Sequence, residues 1–353
     1  MTSLLAVELG ASTRPVVGTI VILTVLVLIT IGHFVRRRVG PTAVSELAGV
    51  AIEVHQLSKV FAENHRGIDD VSCRILPGRV VGLVGPNGAG KTTLLGMITG
   101  LITPTTGTVY IFGHPVHAGA PVLSRVGIAL EQPALVPHLT GIDMLRTTWA
   151  VTGRPAEDAH LDSVAALSGL DDALHRKVSG YSMGMRQRLA LAQAMLGLPD
   201  ILVLDEPANG LDPAQVRQLR TIVRDYAASG RTVLLSSHAL GEIEKICDEV
   251  VVVHRGRIAL STAMNDLSGP SALGISFGGS AAVERAQAAL AKRDITFRRL
   301  ADDAIEVAIT ARSPVPTVLR ALIDDDCEML ALQSASAFED AYYTAVANGR
   351  SAQ

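Results

Sequence analysis

Gly85-Pro86-Asn87-Gly88-Ala89-Gly90-Lys91-Thr92, with Thr93 behind it, follows directly on the apolar run Val80-Val81-Gly82-Leu83-Val84. A run of this kind predicts a short buried strand, and Leu94 to Gly100 reads as helix. Strand, G-x-x-x-x-G-K-T and helix in that order predict a phosphate-binding loop. Its glycines let backbone N–H groups converge on an anion, and the helix N-terminus adds partial positive charge. Lys91 is placed to reach terminal phosphates, and the Thr92 hydroxyl to hold Mg²⁺. The expected ligand is a nucleoside triphosphate.

Downstream, Ile201-Leu202-Val203-Leu204 ends in Asp205-Glu206, and Pro207 follows at once. A continuous apolar run suits a central parallel strand. A carboxylate at the end of such a strand, beside a phosphate loop, can hold Mg²⁺, and that residue is Asp205. Glu206 is then placed to orient or deprotonate the attacking water. Adjacent acids after an apolar run ordinarily make a solvated turn, so the pair gains its meaning from the loop upstream.

The surrounding pattern alternates strand-like and helix-like segments, which predicts an α/β fold. Strands are expected at 51–57, 71–75, 107–112, 232–235, 249–253 and 257–260, and helices at 141–151, 156–167, 185–198 and 213–227. Asp212 before Pro213 makes a good helix start. After residue 265 the order is strand 274–277, helix 281–292, strands 295–300 and 304–309, helix 316–324 and strand 329–333. That βαββαβ order predicts a small ferredoxin-like domain without a catalytic constellation.

The chain has 353 residues, enough for two domains, and 31 basic against 34 acidic side chains give a net charge of -3. Charges of both signs are mixed, so no nucleic-acid partner is expected. Cys73, Cys247 and Cys327 are scattered, odd in number and without metal-ligand spacing, and they read as small buried hydrophobes of a reducing compartment. Val16 to Val35 is twenty residues with no carboxylate, Lys or Arg, long enough to cross a bilayer core as a helix. Arg36-Arg37-Arg38 follows, which by the positive-inside bias puts everything beyond it in the cytoplasm. A cleaved signal peptide competes with this reading, but the charged leading region is missing and the apolar run is too long. A start downstream of Met1, near Val50, is a third reading. Residues 1–38 are thus expected as a single-pass anchor in the inner membrane, 39–50 as linker, 51–264 as the nucleotide-binding domain and 265–353 as an accessory domain.

Taken in order, these motifs resemble the ATP-binding subunit of an ATP-binding cassette (ABC) transporter from about Ile52 to Met264. Gly85 to Thr93 is similar to the Walker A loop and Ile201 to Glu206 to the Walker B strand. Lys59-Val60-Phe61 resembles the loop whose aromatic residue, here Phe61, stacks on adenine. Ser179-Gly180-Tyr181-Ser182-Met183-Gly184-Met185-Arg186-Gln187-Arg188 resembles the signature region, Gly210-Leu211-Asp212 the D-loop, and His238 the switch histidine near the γ-phosphate. The resemblance implies P-loop NTPase architecture with a helical subdomain, ATP and Mg²⁺ as cofactors, and a second ATP-binding subunit. Ser182 and Gly184 of each subunit would face the phosphate loop of the other, clamping two ATP molecules head-to-tail.

Two departures narrow the reading. The signature runs Tyr-Ser-Met-Gly-Met where the general pattern is Leu-Ser-Gly-Gly-Gln, and Y-S-x-G-M resembles bacterial exporters of drugs, antibiotics and peptides, the bacitracin-resistance group among them. In the Q-loop, Glu131 stands where glutamine is usual, with Gln132 beside it; Glu131 is assigned to Mg²⁺ and Gln132 stays a candidate. Leu135, Val136, Leu139 and Trp149 beyond it fit either a permease-facing surface or the core. Ala337-Phe338-Glu339-Asp340-Ala341-Tyr342 resembles the S-L-E-D-V-F ending of the same exporters. The expectation is an ATPase subunit driving export through a separate multi-span permease; the alternative is a non-transport ABC ATPase acting as a switch.

Overall fold

The structure, a computed structural model, describes residues 43–61, 66–131, 133–267 and 270–351. The expected span at 16–35 and the candidate Gln132 lie outside the described residues. Among the described residues no helix is long and apolar enough to cross a membrane. Ser45 to Gln353 belongs to one unit.

Strand β1 (Ile52–Val60) pairs with β2 (Arg66–Ile75), and the buried β3 (Val80–Val84) leads into the loop and then α1 (Lys91–Ile98). β4 (Thr106–Ile111) and β5 (His114–Pro115) complete an antiparallel sheet of order β2-β1-β4-β5. β6 (Val126–Ala129) is followed by α2 (Gly141–Ala150), α3 (Leu161–Ser168) and α4 (Met183–Met195). β7 (Ile201–Leu204), α5 (Pro213–Ala228), β8 (Thr232–Ser237), α6 (Leu240–Ile246), β9 (Glu249–His254) and β10 (Arg257–Ala263) come next. They form, with β3 and β6, a second sheet of order β10-β9-β3-β8-β7-β6, parallel except at β10. All residues of β3, β7 and β8 are buried, as a parallel sheet covered on both faces requires. β3 lies between β8 and β9, and the crevice beyond the carboxyl ends of such parallel strands is where α/β sheets bind ligands.

Two cores hold these layers. One, with Ile52, Leu57, Leu83, Leu94 and Val203, fills the space between the sheets over α1. The other packs α2, α4, α5 and α6 under the parallel sheet and contains Tyr181, Leu189, Tyr226 and Ile243. Arg257 reaches from β10 to Asp69 on β2 at 2.6 Å, and this guanidinium holds the Asp69 carboxyl below its ordinary range. Gly127 is where α4 meets β6, since a Cβ there would lie 1.8 Å from the Ala194 carbonyl oxygen.

Several segments differ from the sequence expectation. The helix expected over 156–167 is broken: a 3₁₀ turn at Ala156–Ala159 stops at His160, which is left-handed at φ 49°, before α3 begins. The Ala159 carbonyl accepts from the N–H of Gly197 instead of continuing a helix. Trp149, one of two readings left open, is core at 5% exposure, its indole N–H donating to the Pro155 carbonyl. Cys247 and Cys327 are buried, and burial pushes the Cys247 thiol far up, so both behave as small apolar groups.

The last part runs β11 (Pro270–Phe277), α7 (Ser280–Ala291), β12 (Phe297–Ala301), β13 (Ala304–Ala308), α8 (Val315–Asp324) and β14 (Met329–Ser336). Its antiparallel sheet has the order β12-β13-β11-β14 and its own core of Ile275, Phe277, Leu290, Val307 and Leu322. A final helix, α9 (Ala337–Ser351), leaves that sheet for the parallel one, and Phe338 is fully buried in the core under it.

Candidate functional site

The carboxyl ends of β3, β6, β7 and β8 converge, and a cavity of about 470 Å³ opens above them. Its walls carry Phe61, Asn87, Gly88, Ala89, Gly90, Lys91, Thr92, Thr93, Glu131, Glu206 and His238, all singled out from the sequence. Gly90 stands at the start of α1 with φ 108°, and a Cβ there would meet the Gly67 carbonyl oxygen at 2.5 Å. Only glycine takes that backbone comfortably, so this position fixes how the loop turns into the helix. Lys91 is 7% exposed, and its amine donates to the Gly85 carbonyl at 2.8 Å and reaches the Pro86 carbonyl at 3.5 Å.

Two carboxylates sit side by side in different surroundings. Asp205 is buried at 5% exposure, and the Ser236 hydroxyl donates to it at 2.6 Å. Glu206 is left-handed at φ 47°, a conformation costing a non-glycine residue about 1–3 kcal/mol. Its N–H donates to the same Ser236 oxygen at 2.8 Å, which pins the strained backbone. The turned peptide aims its carboxylate between Lys91 Nζ, 3.5 Å away, and His238 Nδ1, 2.9 Å away. Carboxylate, ammonium and imidazole thereby meet at the cavity wall.

Oxygen donors suited to a hard divalent cation are also present. Thr92 is exposed at the cavity wall, Glu131 faces it, and Asp205 lies at the end of β7 with one carboxylate oxygen held by Ser236. Hydroxyl and carboxylate oxygens are the ligands that Mg²⁺ prefers. Phe61 is 40% exposed, with the Lys59 ammonium 5.3 Å from its ring centre.

Ser182, Gly184 and Asp212 are not brought into this cavity. Ser182 is exposed and caps α4, accepting from the Met185 N–H at 3.3 Å. Asp212 caps α5 with a reciprocal bond to Gln215. Gly184 packs on that same Gln215, whose amide a Cβ would meet at 2.4 Å. Ser182 and Asp212 lie exposed at the N-terminal ends of α4 and α5, and the buried Gly184 joins the two ends through Gln215, so the three residues make up a second surface and its support.

Two polar residues of the site escaped the sequence reading. Asn209 lines the cavity and its side-chain amide donates to Glu131 at 2.8 Å. Its only signal was a place three residues after Glu206 in a turn. Ser236, which ties Asp205 to Glu206, falls just past the strand expected at 232–235, two positions before His238, with nothing local to mark it.

The ABC transporter family profile matches residues 68–209, from β2 through the turn after β7. The ATP-binding protein YdbJ of Bacillus subtilis is 40% identical over 56% of this chain and 64% of its own length. The bacitracin transport ATP-binding protein BcrA of Bacillus licheniformis is 35% identical over 59% of this chain and 68% of its own. The lantibiotic transport ATP-binding protein SrtF of Streptococcus pyogenes is 33% identical, over 59% of this chain and 89% of its own. The chain belongs to the ABC transporter ATP-binding proteins. Members of this class are ATPases that bind ATP, pair with a second ATP-binding subunit and serve a separate permease. Among solved structures, an ATP-binding subunit of an ABC transporter superposes with a TM-score of 0.56 at 30% identity, over 62% of this chain and 91% of its own. The dimeric cassette MJ0796 superposes at 0.55 and 22% identity, which supports the cassette fold.

Proposed function

We propose that this chain is the ATP-hydrolysing subunit of an exporter and that it builds half of each of two composite sites. The observation that carries the reading is the division of its motif residues between two surfaces. One surface holds the phosphate loop, Glu206 and His238 around the cavity; the other holds Ser182, Gly184 and Asp212 outside it. A head-to-tail dimer brings the second surface of one copy over the cavity of the other.

In that site the loop N–H groups and Lys91 cradle the triphosphate, and Phe61 stacks on the base. Glu206 takes the proton of the attacking water at its carboxylate, while His238 is held beside the γ-phosphate through its bond to Glu206. Thr92, Asp205 and Glu131 would hold Mg²⁺, which when bound neutralises charge on the phosphate oxygens. Asn209 orients Glu131 for that task. Export of an antibiotic, drug, peptide or lipid-like molecule through a multi-span permease is favoured by Y-S-x-G-M and by the names of BcrA and SrtF.

The division into a cassette at 51–264 and an accessory domain at 265–353 is part of the same proposal. The βαββαβ order with its sheet order β12-β13-β11-β14 supports a ferredoxin-like reading for the latter. Val16 to Val35 is proposed as a single-pass anchor that keeps the cassette on the cytoplasmic side of the membrane. Alkaline-carbonate extraction of the intact chain, expressed without a permease, is expected to leave it in the membrane pellet; full release refutes the anchor.

Mixing two inactive variants tests the composite site. Lys91→Ala disables the phosphate loop of one copy, and Ser182→Arg disables the opposing surface of the other. Each variant alone is expected to be inactive, while an equimolar mixture recovers about a quarter of wild-type turnover, because half the dimers keep one intact site. No recovery in a mixture shown to contain heterodimers overturns the head-to-tail arrangement.

A further inference from the structure

His238 stands between β8 and α6, and the geometry of that helix bears on how the histidine is held. α6 has seven residues, and no side chain caps its N-terminus. So short a helix has little stability of its own and is held by what packs on it. Three neighbours grip it. Arg220 of α5 pairs with Glu242 at 3.0 Å, and Ile243 lies fully buried against Gly82 of the phosphate-loop strand. The third grip comes from the far end of the chain, where the Ser336 hydroxyl donates to Glu244 at 2.8 Å.

Ser336 is the last residue of β14, and the same hydroxyl accepts from the N–H groups of Phe338 and Glu339 at 3.1 and 3.4 Å. One oxygen therefore starts α9 and binds α6 together. Two residues on, Phe338 is fully buried in the core that also holds Ile243, Ile246 and Met264. The C-terminal part thus inserts an anchor under the helix that follows His238.

We propose that Ser336 and Phe338 are positioning residues for His238, acting through α6. The start of α9 sets where α6 lies, and α6 sets the loop that keeps His238 Nδ1 at 2.9 Å from Glu206. The C-terminal part is then not passive: whatever shifts β14 or α9 changes turnover at a site it does not touch. This rests on the reading of His238 as a residue of the hydrolytic site.

The test is ATP turnover by the full-length chain. Phe338→Ala is expected to lower kcat about tenfold while leaving KM for ATP within about twofold, because coupling residues away from the ligand act on the reacting geometry. Phe338→Leu refills most of that volume and retains most of the rate. Ser336→Ala, which opens no core cavity, lowers kcat about threefold, and Ser336→Thr restores it by returning the hydroxyl. In a His238→Ala background, read by single-turnover hydrolysis, neither alanine change lowers the rate further.

Should Phe338→Ala fail to fold, the Ser336 pair decides the question. Unchanged kcat in folded Ser336→Ala, a raised KM at constant kcat, or an equal fall in the His238→Ala background each overturns the proposal. Loss of coupling alone leaves Glu206-dependent hydrolysis by the wild-type chain intact. Absence of that hydrolysis, or a wild-type rate from His238→Ala, instead removes the parent reading and this inference with it.

Discussion

Glu206→Gln is expected to bind ATP with near wild-type affinity yet release phosphate about 100- to 10,000-fold more slowly, the range a general base supplies. Glutamine keeps the shape and the hydrogen bond to His238 but cannot accept the water's proton. The change also removes the negative partner 3.5 Å from Lys91, freeing the amine for the triphosphate. Binding is thereby preserved or strengthened while the chemical step fails, so dimers accumulate with ATP trapped inside. Phosphate-release kinetics measure the first effect, and size-exclusion chromatography in ATP measures the second. Hydrolysis within a fewfold of wild type would refute the assignment of Glu206. A slow variant that never dimerises would instead separate the catalytic claim from the composite-site claim.

The strained backbone makes this position informative. A left-handed glutamate persists only where its surroundings over-determine it, and here Ser236 bonds its N–H while Asp205 anchors Ser236. Glutamine tolerates that backbone about as well as glutamate, so a folding defect does not cloud the result.

What the sequence disclosed about this region was uneven, for physical reasons. The phosphate loop was legible because its glycines, Lys91 and Thr92 are adjacent in the chain, so local spacing states the chemistry. The strand at Ile201–Leu204 was equally plain, since burial on both faces makes the run continuously apolar. Asn209 and Ser236 were not legible, because each matters only through a partner 78 or 30 residues away that topology alone supplies. α6 was missed for its shortness. α9 was missed because the similarity of Ala337 to Tyr342 to an exporter ending carried no periodicity that showed Phe338 crossing into another core. The helix expected over 156–167 failed at His160, where a long-range bond from Gly197 overrides local propensity. Ser182, Gly184 and Asp212 enter as site residues through the family resemblance, which already sets Ser182 and Gly184 against another subunit's loop; the fold adds that all three lie outside this chain's own cavity.

Lys91→Ala carries the second large effect, on binding. Lys91 is 8% exposed at its side chain, and its amine is already clear of bulk water beside the loop carbonyls. A triphosphate replacing those carbonyls gains a charge-assisted bond from an amine whose desolvation was settled on folding. Removing a buried charge partner of this kind costs about 2–5 kcal/mol, so ATP affinity is expected to fall by about 30-fold or more. Thermal unfolding reads this directly: ATP at a hundred times its dissociation constant stabilises the wild-type chain by about 2.7 kcal/mol, and the variant should gain little at that concentration. The midpoint without nucleotide serves as the control. Alanine is the best helix former at the first position of α1, but the lost amine leaves the buried Gly85 carbonyl without its bond, so each protein's ATP response is read against its own nucleotide-free midpoint. A lost ATP response on that scale locates the defect in the site. An equal ATP response in both proteins refutes the loop as the triphosphate cradle, and with it every role assigned to the residues around it.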